Sequence, residues 1–180
     1  MGAGCQLWVD DAAHMLHFNG QAFPCGRDVE AVLAWQEYAL TLSSDTDSLS
    51  LWDSEGLVRL TKVGVYPQDM ALLENQAAVC GGADGKIHII NLPELAETAV
   101  YAVPGMPERI CVTKESAYIL TLLTEPDVHT RLLRLQPANG TWADLLSLPG
   151  IPEAIAADQS GLWIAVSEGV TRLRWKEISI

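Results

Sequence analysis

Apolar and polar positions alternate in short runs along this chain, and the clearest run is AAVCGGADGKIHIIN at residues 77–91. Ile87 and Ile89 fall on one side of an extended strand and Lys86 and His88 on the other, because successive strand side chains point to opposite faces. By parity alone, Lys86 and His88 are expected at solvent. Gly81, Gly82 and Gly85, set around Asp84, are residues that supply the positive backbone angles of a tight turn, so the stretch reads as a β-hairpin. The chain opens on the same plan. Residues 6–9 and 15–18 flank Asp10-Asp11-Ala12-Ala13, and a third strand over 21–23 follows Asn19-Gly20. Strands are then expected over 29–35, 38–42 and 49–52, the last two joined by the polar residues 43–47. Apolar spacing of three and four over a dozen residues, the mark of an amphipathic helix, is missing, and residues 93–98 allow one helical turn at most.

Laying these segments over one another exposes a repeat. Val29-Glu30, Pro67-Gln68, Pro107-Glu108 and Pro152-Glu153 begin equivalent strands at intervals of 38, 40 and 45 residues. Each is followed by an apolar residue (Val32, Met70, Ile110, Ile155) and then by the opening of a second strand at Ala39, Ala77, Ala117 and Leu162. Proline lacks an amide donor and is tolerated where a strand begins, which fits its place in three of the copies. Gly105-Met106-Pro107 and Gly150-Ile151-Pro152 mark crossings from one unit to the next. A period near 40 in short strands is the signature of a propeller blade. The expectation is an all-β chain, one β-propeller domain over residues 1–180, built of four-stranded antiparallel blades with boundaries near 29, 67, 107 and 152.

At this point the residues resemble a known kind of repeat. Asp84-Gly85-Lys86-Ile87-His88-Ile89-Ile90-Asn91 looks like the second-to-third-strand segment of WD-repeat propellers, with Ile90-Asn91 standing where that family has Trp-Asp. Trp52-Asp53 supplies the dipeptide itself, although Asp45 and Asp47 lie on either side of Thr46, the position expected for the hairpin acid. Leu133-Arg134-Leu135-Gln136-Pro137 keeps the alternation without the signature. No copy carries the Gly-His dipeptide of that family's Asp-His-Ser-Trp hydrogen-bond network. The Gly-x-Pro entries and the plain Asp-Gly hairpin are similar to the YVTN and NHL kinds of propeller repeat as well. The resemblance covers nearly the whole chain and implies a propeller fold, while a fold shared by many functions says little about activity.

A fifth hairpin, over 162–166 and 170–175, ends close to the last residue, while the N-terminal unit begins without an inner strand. Five blades are therefore expected, the last lacking its outer strand and the first its inner one. Open seams leave unpaired backbone groups that invite association. A five-bladed ring in which a terminal strand completes the blade begun at the other end is one arrangement, with residues 178–180 contributing; the other is a partial ring that closes by pairing with a second copy.

Composition narrows the partners. The 180 residues are 49% hydrophobic and 19% charged, a globular balance, and no apolar run reaches the ~20 residues of a membrane-spanning helix. A formal charge of −12 opposes binding to phosphate backbones and anionic membrane surfaces, which require clustered Lys and Arg. Nucleic acid and membrane are excluded as expected partners. Cys5, Cys25, Cys80 and Cys111 form no C-x-x-C pair and no metal ribbon. The start MGAGCQLWVDD has no basic region or apolar export segment, and Gln6 stands where an N-myristoylation motif wants Ser or Thr. Free thiols in a reducing, cytoplasmic setting are expected.

The recurring polar feature is at the inner-strand entrance: Glu30, Gln68, Glu108 and Glu153 would ring the mouth of a central channel. Oxygen ligands so arranged suit a divalent cation such as Ca²⁺ or Mg²⁺, or a cationic ligand, and they also suit a plain solvated rim. His14 and His17 have an odd separation, which on a strand places them on opposite faces and argues against a metal pair. His88 and His129 have no acid or thiol at ligand spacing in the sequence. No G-x-S-x-G motif or Cys/His pairing is present, and the glycine run at 81–85 leads into a strand instead of the helix that gives phosphate loops their dipole. Most of the six tryptophans (Trp8, Trp35, Trp52, Trp142, Trp163, Trp175) are expected between blades, with one or two at a rim as anchors for a partner. The function expected from these residues is non-enzymatic: a binding or scaffolding module that presents loops and a channel mouth to a protein or small ligand. Two alternatives stand beside it, a metal-dependent lactonase-like hydrolase using channel carboxylates and a structural fragment that self-associates through its incomplete end blades.

Overall fold

The computed structural model describes residues 6–113 and 116–178 and is all-β. Its strands fall into five antiparallel sheets in chain order. The first holds β1 (Leu7–Asp10), β2 (Met15–Phe18) and β3 (Gln21–Pro24). The second holds β4 (Val29–Trp35), β5 (Tyr38–Ser43), β6 (Ser48–Asp53) and β7 (Gly56–Lys62). The third is β8 (Asp69–Leu73), β9 (Gln76–Cys80), β10 (Lys86–Asn91) and β11 (Ala96–Ala102), and the fourth β12 (Met106–Val112), β13 (Ala117–Leu123), β14 (His129–Gln136) and β15 (Thr141–Pro149). The last comprises β16 (Pro152–Asp158), β17 (Gly161–Val166) and β18 (Gly169–Arg174), followed by a helical turn, α1 (Trp175–Ile178). Three complete blades and two of three strands match the expected architecture. The first strands of successive sheets, β4, β8, β12 and β16, lie side by side.

Each seam between blades is an apolar layer. Leu40, Leu42, Leu49 and Leu51 of the second sheet meet Met70, Ala77, Val79 and Ile90 of the third. Ala78, Cys80, Ile87 and Ile89 meet Ile110, Ala117, Ile119 and Leu133 across the next seam, and Tyr118, Leu120 and Leu132 meet Leu162, Ile164 and Val166 across the last. Strands of an interior blade are therefore covered on both faces and read as continuous apolar runs more than as alternation. Burying such side chains is worth about 1.5–3 kcal/mol each.

The first sheet occupies the second to fourth strand positions of a blade, as expected. Leu7 and Val9 on β1 and Leu16 and Phe18 on β2 face Ala39 and Trp52 in one apolar cluster. They repeat the offsets of Leu40, Leu42, Leu49 and Leu51, across a turn of the same length. Only residues 25–28 separate β3 from β4, a reach of about 14 Å. That span joins an outer strand to the next inner one and is too short to start from a third strand.

Ring closure departs from the first expected arrangement. Among the described residues the first and last sheets share no hydrogen-bonded ladder, so no described strand of either sheet completes the other's blade. Ile178 lies in α1, buried against the last seam, and residues 179–180 are outside the described residues. Residues 96–98, allowed as part of a helical turn, belong to β11, whose ladder to β10 ends at Asn91 paired with Ala96. No helix among the described residues is long and apolar enough to cross a membrane.

Candidate functional site

The recurring acids owe their placement to a repeated irregularity of the backbone. The ladder between first and second strands slips by one residue between Val29 and Ala31, between Pro107 and Arg109, and between Pro152 and Ala154. The residue left unpaired is Glu30, Glu108 and Glu153 in turn. A β-bulge inserts one extra residue and re-aims its side chain away from the regular pleat, so three blades turn an acid out at the same level. In the third sheet Gln68 precedes the strand, and its Nε2 donates to the Tyr66 carbonyl at 3.0 Å.

These four residues do not behave alike. Glu30 is exposed and its Oε1 accepts from Ser44 Oγ at 2.6 Å. Glu108 is half-buried, and burial pushes its carboxyl above the usual range; the Arg109 guanidinium partly opposes that shift, and the Glu30 charge adds to it. Glu30 and Glu108 are thus brought into electrostatic contact, with an Arg109 nitrogen 3.9 Å from the Glu108 carboxylate. Glu153 is exposed and joins the group through its backbone, its carbonyl accepting from Arg109 Nε at 2.7 Å. Arg109 also donates to the Glu108 carbonyl at 2.7 Å, and so ties the inner strands of the last two sheets.

Asp69 belongs to the same level and was not singled out in the sequence. Its Oδ2 accepts from the Ile110 amide of the next blade at 2.9 Å and its Oδ1 from the Met70 amide at 2.8 Å. Burial raises its pKa, against the lowering effect of those amides and of Arg109. The signal that would have found it is positional. Asp69 and Arg109 occupy the register place held by Ala31 and Ala154 in the other copies, so a charge there is out of pattern.

Elsewhere the structure corrects the sequence reading of His88. Its ring is buried, 7% exposed, with Nε2 2.8 Å from Asp84 Oδ2 and Nδ1 2.6 Å from Glu97 Oε2. Parity did place it opposite Ile87, but that face is covered by the preceding blade, and Glu97 arrives from the neighbouring strand β11. Gly81 does not have a positive φ. It is needed for space, because a Cβ there would sit 2.3 Å from Asp84 Oδ1 and 2.8 Å from His88 Nε2. Gly82 (φ +61°) does take the left-handed conformation, and a Cβ on it would meet the Tyr66 carbonyl oxygen at 2.0 Å. The glycine run is a blade contact and turn.

The remaining candidates are structural. His14 lies in a turn, and His17 stacks on Trp8 with ring centroids 3.7 Å apart. His129 Nδ1 is 2.7 Å from the Asp127 carbonyl oxygen. Cys25, Cys80 and Cys111 are free thiols, the Cys111 thiol pushed up to about 12 by burial, and Cys5 lies outside the described residues. Among the described residues no group of three or more His, Cys, Asp or Glu is placed to hold a metal ion. At the other end of the strands, a cleft of about 770 Å³ between the third and fourth sheets is lined by Leu72, Leu73, Val112 and Pro137 with Glu74 and Gln136. Fewer tryptophans are buried than expected: Trp35 and Trp52 are, Trp175 is half-buried, and Trp8, Trp142 and Trp163 are exposed. Trp52 keeps one link of the WD-repeat pattern, its indole donating to Thr41 Oγ1 at 2.9 Å.

Blades of antiparallel strands stacked through apolar seams around aligned inner strands define a β-propeller. The sequence matches no protein-family model and no curated protein, and the likeness is one of structure. The WD40 β-propeller domain of Doa1 superposes with a TM-score of 0.76 at 12% identity, covering 100% of this chain and 64% of that one. A streptogramin B lyase structure superposes at 0.78 with 13% identity over 97% of this chain and 63% of that one. U3-55K gives 0.72 at 13% identity over 94% and 59%. The chain therefore spans less than two thirds of these propellers, and at such identities the likeness establishes the fold.

Proposed function

We propose that this propeller is a non-enzymatic binding module whose acidic inner-strand entrance receives a cationic group, either a basic segment of a protein partner or a small amine. The observation that carries the reading is the repeated bulge, which turns Glu30, Glu108 and Glu153 out at one level of three blades. Glu108 is the sensitive member. Its carboxyl is half-buried and faces the charge of Glu30 as well as that of Arg109, so an added cation relieves an existing repulsion. The overall charge of −12 draws such a ligand in at low ionic strength.

The hydrolase alternative rests on the same acids but needs a metal to polarise a carbonyl and activate water. The described residues offer no set of ligands for it, and likeness to a lyase at 13% identity supports the fold alone. Calorimetric titration with a short lysine-rich peptide tests the binding reading. Binding that weakens with salt, and at least about tenfold (~1.4 kcal/mol) in a Glu30→Gln/Glu108→Gln double variant, is expected. Undiminished binding by that variant overturns it.

A further inference from the structure

Every seam in this molecule is the same heterologous contact, made by the face a blade turns to its successor and the face a blade turns to its predecessor. The two outermost faces are one of each kind. On the first sheet, Trp8 stands in register with Thr41, Val79, Ile119 and Ile164, which are 4, 0, 0 and 0% exposed, yet Trp8 is 50% exposed. On the last sheet, Trp163 stands in register with Leu40, Ala78 and Tyr118, exposed by 0, 0 and 6%, and is itself 43% exposed, beside Val170 at 70%. Both classes of position are buried in all three four-stranded blades. At the ends they carry tryptophan, the residue most enriched where interfaces concentrate their binding energy.

Both rings are held ready rather than loose. Trp8 lies flat on His17, with an interplanar angle of 2°. Trp163 is fixed by its indole donating to Asp158 Oδ2 at 2.8 Å, and the Arg172 guanidinium carbon lies 4.9 Å from its ring centroid. The two faces differ in charge: Arg172, in register with Trp163, and Arg174 put cations on the outer face of the last sheet beside the Asp158 carboxylate, whereas residues 6–24 contain Asp10 and Asp11 and no Lys or Arg.

We infer that the Trp163 face of one copy docks on the Trp8 face of a second copy, head to tail, repeating between molecules the seam that the fold makes four times within one. The last sheet supplies first, second and third strand positions and the first sheet second, third and fourth, so the strands that carry the two tryptophans overlap at the contact. A heterologous contact of this kind closes into a ring or continues as a filament according to its rotation. This contact is separate from the acidic entrance and does not depend on the binding reading.

Substitution at the two ends separately tests it. Light scattering of the native chain is expected to show a mass that rises with concentration and falls with added salt. Trp8→Glu and Trp163→Glu, each checked to keep the native circular dichroism spectrum and a cooperative melt, are expected to remain monomeric alone. Mixed together they form a dimer and nothing larger, since each variant retains the face that the other has lost. A native chain that stays monomeric at millimolar concentration overturns the proposal. So does association that persists in either single variant, or a mixture of the two that fails to pair.

Discussion

The second strands of the interior blades and those of the two end blades share one register and one parity, yet they meet opposite fates. Leu40 and Val79 are fully buried, while Trp163 and Trp8, at the matching positions, keep about half their surface in water. The difference lies in whether a neighbouring blade covers the face. Burial in a propeller is a property of the seam, and a residue is committed to the core only when the next unit arrives.

The largest effect that could break this comparison is at an interior seam. Ile119 is fully buried between the third and fourth sheets. Ile119→Ala is expected to cost about 3 kcal/mol in urea unfolding, from lost transfer energy and the cavity left behind. Trp163→Ala, measured in dilute solution, should cost only about 1 kcal/mol, chiefly its hydrogen bond to Asp158, despite removing a larger side chain. Equal losses at the two sites would mean that the end faces are covered in the isolated chain.

How much of this was legible follows from the same contrast. The alternation of Ile87 and Ile89, the recurring strand entries at Pro107 and Pro152, and the near-40 period describe single strands and repeats, and these are written locally. His88 was misplaced because parity sorts residues between two faces and cannot say that both are covered. Its partner Glu97 lies nine residues away on the next strand, a pairing fixed by the β10–β11 register. The acids Glu30, Glu108 and Glu153 were visible as a repeat, but the bulge that takes them out of the ladder is a pairing property with no residue signature beyond the acid itself. Asp69 was hidden because its partner, the Ile110 amide, is 41 residues away in the next blade. The exposure of Trp8 and Trp163 required knowing that, among the described residues, no sheet packs over the outer faces of the first and last blades.

A second test sharpens the view that inner strands are tied across seams by polar groups as well as by packing. Asp69 bridges β8 to β12, so Asp69→Ala should destabilise by about 2 kcal/mol, the cost of leaving a buried amide without its acceptor. The pH dependence has a definite sign. Burial raises the folded-state pKa of Asp69 above its unfolded value, so in the interval between the two values the folded chain binds the proton more tightly. Stability from this titration is fully present below the unfolded value and is lost as pH rises through the raised one. The native chain should therefore gain on Asp69→Asn as pH is lowered across that interval. Unfolding curves for the two proteins that move in parallel with pH would remove Asp69 as a titrating tie.

The smallest expected effect sets one interior blade against its neighbours. Thr121 is fully buried on β13, and its hydroxyl oxygen has no hydrogen-bond partner. The equivalent residue in the second sheet, Ser43, donates to the Arg27 carbonyl at 2.8 Å. In the last sheet the equivalent is Val166, which packs into the apolar seam. Blade four thus carries a hydroxyl like the second sheet's but lacks the carbonyl that satisfies it, and a shape like the last sheet's without its apolar end. An unpaired buried hydroxyl costs about 1–3 kcal/mol, and valine has nearly the same outline. Thr121→Val is expected to raise the unfolding free energy by about 1 kcal/mol, while Ser43→Val, which discards a made hydrogen bond, lowers it. Loss of stability in Thr121→Val would show that the hydroxyl is satisfied in solution, and that the two blades are alike at this position after all.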